Sequence, residues 1–146
     1  MARHRKRLKE PLEYSLTELE ERDWGPPTYS SSLVQSVHQL RYVPLKDLAA
    51  GDLRLLIGQQ ISLPYLVPRA VDILQTDPFV EGTFFPGDLL KAVLEISTDF
   101  WSNYADLFQR TLQIARMSVD RNESSELLKD VRQSIHDFIA KASAIP

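Results

Sequence analysis

The stretch DLRLLIGQQISLPYLVPRAVDILQTDPFVEGTFFPGDLLKAVLEI, Asp52 to Ile96, is an ordered series of helix starts, helix stops and proline-fixed corners. Leu53, Leu56, Ile57 and Ile61 follow the spacing of a buried helical stripe that opens at Gly51 or Asp52, with Gln60 interrupting it. Pro64 suits the first turn of a second helix, where its missing N–H has no partner to lose. Pro68 then requires either a later start or a kink. Ala70, Val71 and Leu74 carry the pattern on to about Thr76, and Asp77-Pro78 ends it. Phe79 to Asp88 reads as a compact aromatic loop. Asp88 is placed to cap the next helix, whose stripes Leu89, Val93, Ile96 and Leu90, Leu94 predict an element buried on two sides.

Outward from this stretch the helical pattern continues. On the N-terminal side, Ser15 and Glu18 have capping-box spacing for a short helix over about 16 to 22, which the WGPP run at Trp24 to Pro27 closes. Ser31 or Ser32 caps a helix with Leu33, Val34, Val37 and Leu40 on one face, and Pro44 to Leu48 predicts a single turn. On the C-terminal side, Thr98 caps one longer helix over about 99 to 118, with Phe100, Tyr104, Leu107, Phe108, Thr111 and Ile114 along one face. A last helix from about Ser125 to Lys141 turns Leu128, Val131, Ile135 and Phe138 inward. No segment alternates apolar and polar residues under β-branched dominance. The expected fold is therefore all-α: an irregular bundle of six to eight short helices in a single domain over residues 15–146, preceded by a disordered basic tail over residues 1–14.

Composition agrees with a globular chain. Its 146 residues are 43% hydrophobic and 25% charged, with five glycines and nine prolines, which suffices for one ordinary core. The absence of cysteine excludes a disulfide framework and a thiolate metal site. The apolar runs are far shorter than a membrane span, and MARHRKRLK is followed by acidic rather than apolar sequence, so it does not read as a secretory signal. A cytoplasmic location is expected. The net charge of −3 hides an asymmetry: Arg3, Arg5, Lys6, Arg7 and Lys9 leave 12 basic against 20 acidic residues in the remainder, a body of about −8. Such a body attracts basic partners, whereas the tail could contact nucleic acid.

Catalytic signals are sparse. His4 lies in the tail, and His38 and His136 lie on helices without an oriented partner or a metal-binding spacing. No nucleophile elbow or phosphate-binding glycine loop appears. The expectation is no enzyme, no cofactor and no metal. Gln59 and Gln60 read as helix-end residues hydrogen-bonded to loose carbonyls and the next loop, fixing a helix pair. The candidate partner-binding residues are Asp77, Glu81, Phe84, Phe85, Asp88 and Trp101: acids able to rim a cationic partner and aromatics able to anchor it. For Asp88 the plainer alternative is an N-cap, for Asp77 a turn residue, and for the aromatics core packing.

LTELEERDWGPP at 16–27, followed by DLRLLIGQQI, LPYLVPRA, EGTFFPGDLLKAVL and the DFW at Asp99 to Trp101, resembles the immunity proteins of bacterial contact-dependent growth inhibition systems over roughly residues 15 to 105. The resemblance implies a cytoplasmic protein that binds and blocks the C-terminal toxin domain of a delivered effector, often by covering its active site. Such toxins are commonly nucleases with basic substrate grooves, which an acidic body would suit. The motif residues look like scaffold, and no contact residue is carried over from the family. The competing reading is a nucleic-acid-associated helical adaptor using Arg3 to Lys9 as its arm. A small hydrolase built on His38 or His136 is a third.

Overall fold

A computed structural model describes residues 11–27, 31–120 and 129–142. The described residues form eight α-helices, two short 3-10 turns and no strand, so the all-α expectation holds. The helices are α1 (Leu16–Glu20), α2 (Ser32–Leu40), α3 (Ala50–Gly58), α4 (Leu63–Thr76), α5 (Asp88–Leu94), α6 (Thr98–Ser102), α7 (Ala105–Asp120) and α8 (Lys129–Lys141). Internal contacts divide the chain into two units, Met1–Ala49 and Ala50–Pro146.

In the first unit the capping box forms as its spacing predicts. The Glu18 amide donates to Ser15 Oγ at 3.2 Å, and the Ser15 amide donates to the Glu18 carboxylate at 3.0 Å. Helix α1 stops where Glu21 enters the left-handed region at φ 52°. There the amides of Glu21 and Arg22 return to Glu18 and Thr17 in a Schellman pattern. Ser31 caps α2 by accepting from the Val34 amide at 3.2 Å. Of the stripe expected on α2, Val37 is buried, Val34 and Leu40 are half-buried and Leu33 is 43% exposed. Tyr14, Leu16, Leu45 and Leu48 complete the buried apolar set.

Arg41 organises this unit. Its side chain is 1% exposed and pairs with Glu20 at 2.6 Å. It also donates to the Arg22 carbonyl at 3.1 Å and lies 4.1 Å below the centroid of the Trp24 ring. One guanidinium thereby pins the segment after α1 against the end of α2.

In the second unit α5 packs against α3, α4 and α8, while α7 packs against α4, α6 and α8. Leu53, Leu56 and Ile57 of α3 face Leu89, Leu90, Val93 and Leu94 of α5, all of them 2% exposed or less. The expected stripe ends earlier than its spacing suggested: α3 stops at Gly58 and Ile61 is half-buried beyond it. Gln60 takes the left-handed C′ position at φ 59°. Its amide returns to Ile57, and the Ile61 amide returns to Leu56 at 3.1 Å. Both glutamine side chains are exposed. The backbone, rather than the expected glutamine side-chain bonds, therefore closes this corner.

Helix α4 runs through Pro68 without breaking, so the later start is not taken. Leu66, Val67, Ala70, Val71 and Leu74 are all fully buried on either side of the proline, and their packing offsets the N–H that Pro68 cannot donate to the Pro64 carbonyl. The single helix expected over 99 to 118 is two. Asn103 Nδ2 donates to the Asp99 carbonyl at 3.1 Å and Ser102 Oγ to the Thr98 carbonyl at 3.0 Å, occupying acceptors that the next turn would use. Ser97, not Thr98, stands at the N-cap. Trp101, Phe108 and Phe138 then meet with ring centroids 5.4–5.9 Å apart, closing α6, α7 and α8 on one aromatic cluster. The first four residues of the expected last helix, Ser125 to Leu128, lie outside the described residues, while Val131, Ile135 and Phe138 are buried as expected.

Candidate functional site

The loop between α4 and α5 is built around one buried carboxylate. Asp77 leaves α4 in an extended conformation and its side chain accepts from the Phe79 amide at 3.2 Å, the turn role open to an Asp before proline. The chain doubles back through a bridge between Glu81 and Pro86, and the Gly87 amide donates to the Phe79 carbonyl at 3.1 Å. Inside the turn, Asp88 accepts from the amides of Gly82 at 2.6 Å, Thr83 at 2.8 Å and Phe84 at 2.8 Å.

This arrangement corrects the expectation that Asp88 caps α5. Gly87 stands at the N-cap with φ 89°, and the Asp88 side chain reaches back to the loop instead of forward to the helix. Burial opposes ionisation of Asp88, which is 3% exposed. The amides of Phe84, Gly82, Thr83 and Phe85 outweigh that penalty and hold its pKa below the ordinary aspartate value. The loop also sits close against the start of α3. A Cβ on Gly82 would lie 2.9 Å from Asp88 Oδ1 and 3.2 Å from the Ala50 carbonyl oxygen, and one on Gly51 would meet Thr83 Oγ1 at 2.9 Å. Two glycines allow this approach.

Held from behind in this way, the loop presents its tip outward. Phe84 is 67% exposed, the most exposed large apolar side chain among the described residues, and Phe85 is half-buried. Asp77 and Glu81 are exposed beside it. The candidate residues thus separate by role. Asp77, Glu81, Phe84 and Phe85 share one loop and Asp88 shapes it from inside. Trp101 is 1% exposed within the aromatic cluster, so in this fold it is core and offers no surface. Among the remaining aromatics, Tyr65 and Tyr104 are each 37% exposed.

One residue of the site was not singled out from the sequence. Arg54 of α3 donates through Nε to Thr83 Oγ1 at 3.3 Å, and its Cζ lies 4.6 Å from the Phe84 ring centroid. It lines a groove of about 370 Å³ together with Gln60, Phe84, Phe85, Lys91 and Glu95. Its signal in the sequence is faint: a single basic residue on the polar side of α3, separated by 30 residues from the ring it touches.

Neither described histidine belongs to this loop. His38 Nδ1 lies 2.9 Å from the Gly25 carbonyl and its ring meets Trp24 edge-on, which gives it a local structural role in the first unit. His136 is exposed on α8. Among the described residues no group of three or more His, Cys, Asp or Glu side chains is arranged to hold a metal ion, and no helix is long and apolar enough to cross a membrane.

A family model described as CDI immunity proteins matches residues 18–111, well over half of the chain. The chain belongs to that family. No curated protein and no solved structure gives a significant match. Family membership places it among toxin-neutralising immunity proteins, which act on a protein partner and are in general not enzymes. The match runs through α1 to the first turns of α7 and includes the whole of the Asp88 loop.

Proposed function

We propose that this protein neutralises a nuclease toxin domain in the cytoplasm by docking the loop from Asp77 to Pro86 onto it, with Phe84 as the anchor. The observation that carries the reading is a largely exposed phenylalanine at the tip of a loop whose backbone is fixed by hydrogen bonds from three backbone amides to one buried carboxylate. An exposed aromatic on a preformed loop buries apolar area on binding while losing little conformational freedom, the combination that makes an anchor residue. Phe85 supports it from the side, and Asp77 and Glu81 supply negative charge at the rim. Trp101 contributes to this reading only as core.

Charge supports the toxin class that the family resemblance implies. A body of about −8 outside the first nine residues favours a partner with a basic surface, and the substrate groove of a nuclease is basic because it binds phosphates. Association should accordingly slow as salt is raised. The alternative adaptor reading depends on Arg3 to Lys9, which lie outside the described residues.

Coexpression with the toxin encoded beside it provides the test. The wild-type protein should form a stable complex and protect cells. Phe84→Ala should weaken the complex by about tenfold or more while leaving the thermal melt of the free protein unchanged. Full affinity in Phe84→Ala would remove the loop from the interface, and a partner with no nuclease activity would remove the assigned toxin class.

A further inference from the structure

We propose that Arg54 is the receptor for an acidic side chain of the toxin domain, whose carboxylate enters the groove between α3 and α5 when the loop docks. The proposal rests on the docking reading above and names the chemistry at its centre. It starts from how the arginine is held. Nε is tethered to Thr83 at 3.3 Å and stands 4.0 Å from Asp88 Oδ2, while the Phe84 ring covers one face of the guanidinium. The side chain is 22% exposed, so it is held in one place without being sealed off.

What it lacks is an acceptor for its outer edge. Nη1 and Nη2 make no hydrogen bond to any described residue. The neighbouring acids do not use them. Asp88 spends its oxygens on the amides of Gly82, Thr83 and Phe84, and Glu95 pairs with Lys91 at 2.6 Å. Arg110 in the same unit shows the contrast, with Nη2 2.7 Å from both Asp72 and Gln75.

A guanidinium with a free outer edge matches the two oxygens of a carboxylate in a planar, bidentate pair, and a groove of about 370 Å³ admits the side chain that carries it. Covering Phe84 on binding would also strip water from this edge and strengthen the pair. A cation beside the acids Asp77 and Glu81 of the docking loop fixes register: a basic toxin surface without an acid at this point would bury the outer edge of Arg54 without an acceptor. Selectivity among toxins then has a repulsive as well as an attractive component.

The experiment uses the full chain and the toxin domain encoded beside it. Arg54→Gln should weaken binding about 10- to 100-fold with the melt of the free protein unchanged, and Arg54→Lys should recover only part of the loss because an ammonium cannot pair through two parallel donors. Each Asp and Glu of the toxin is then neutralised in turn against both wild type and Arg54→Gln. One acidic position should show a large loss against wild type and almost none against Arg54→Gln, separating the ion pair from the lost Phe84 contact. Wild-type affinity in Arg54→Gln, or additive losses at every acidic position, would overturn the carboxylate assignment. If Phe84→Ala still weakens binding in that case, the docking loop stands. Unchanged affinity in both Phe84→Ala and Arg54→Gln would overturn the docking reading itself.

Discussion

At the scale of single residues, Asp88 determines the shape of the loop and Phe84 determines what the loop displays. Removing the Asp88 carboxylate leaves three part-buried backbone amides without their acceptor, and each such loss costs on the order of 1 kcal/mol. Asp88→Ala should therefore destabilise the protein by about 3 kcal/mol in urea unfolding, with Asp88→Asn intermediate because one amide oxygen can satisfy only part of the set. The effect has a defined pH dependence. The folded-state pKa of Asp88 lies below its unfolded value, so the ionised contribution is fully present above the ordinary aspartate range and is lost as pH falls through the folded value. The stability gap between wild type and Asp88→Asn should be constant near neutrality and shrink on acidification below about pH 4. A gap that widened in acid would show that the carboxyl group works in its protonated form.

At the scale of elements, the loop depends on its approach to α3 as much as on its own hydrogen bonds. Gly82→Ala would drive a methyl group toward Asp88 Oδ1 and the Ala50 carbonyl oxygen, and backbone cannot give way as a side chain would. A loss of about 1–3 kcal/mol is expected in thermal or urea unfolding, with toxin affinity falling as the tip shifts. Wild-type stability in Gly82→Ala would mean that the two backbones separate at little cost. The helices themselves were readable because local chemistry decides them: Ser15 and Glu18 announce α1, and the doubled stripe of α5 announces its burial. Three misreadings share a cause. Asp88 as a cap, residues 99 to 118 as one helix and the glutamine side chains as the bonds that fix a helix pair were each assigned from a residue's usual role. In each, the side chains or backbone made a different local bond. Asp88 turned back six residues to Gly82, Asn103 took the Asp99 carbonyl, and Gln60 adopted φ 59°. Arg54 was illegible for another reason, since only the folded chain brings α3 beside the tip of a loop 30 residues later.

At the scale of the whole molecule, the core and the proposed docking loop answer to different tests. Trp101 joins α6 to α7 and α8 through Phe108 and Phe138. Trp101→Ala should cost about 3–5 kcal/mol of stability. The indole Nε1 has no hydrogen-bond partner among the described residues, so Trp101→Phe should lose packing alone and be milder, with toxin affinity intact. Tryptophan emission, excited selectively over the tyrosines, would then report Trp24 alone, as the chain has two tryptophans. A drop in affinity for a well-folded Trp101→Phe would return this residue to the interface. The family match covers both the α3 to α5 frame and the loop. Charge belongs to this scale too, because the acidic excess is spread over the chain rather than gathered in one motif.

The division of labour between Asp88 and the loop tip also bears on how such a protein diversifies. The bonds that shape the loop run from a buried side chain to backbone amides, and amides are present whatever side chains the tip carries. Glu81, Phe84 and Phe85 are therefore open to replacement without redesign of the loop that holds them. A library randomised at those three positions should return mostly folded variants, whereas one randomised at Gly82 and Asp88 should not. A new adversary could thus be met by changing a few exposed side chains on an inherited backbone.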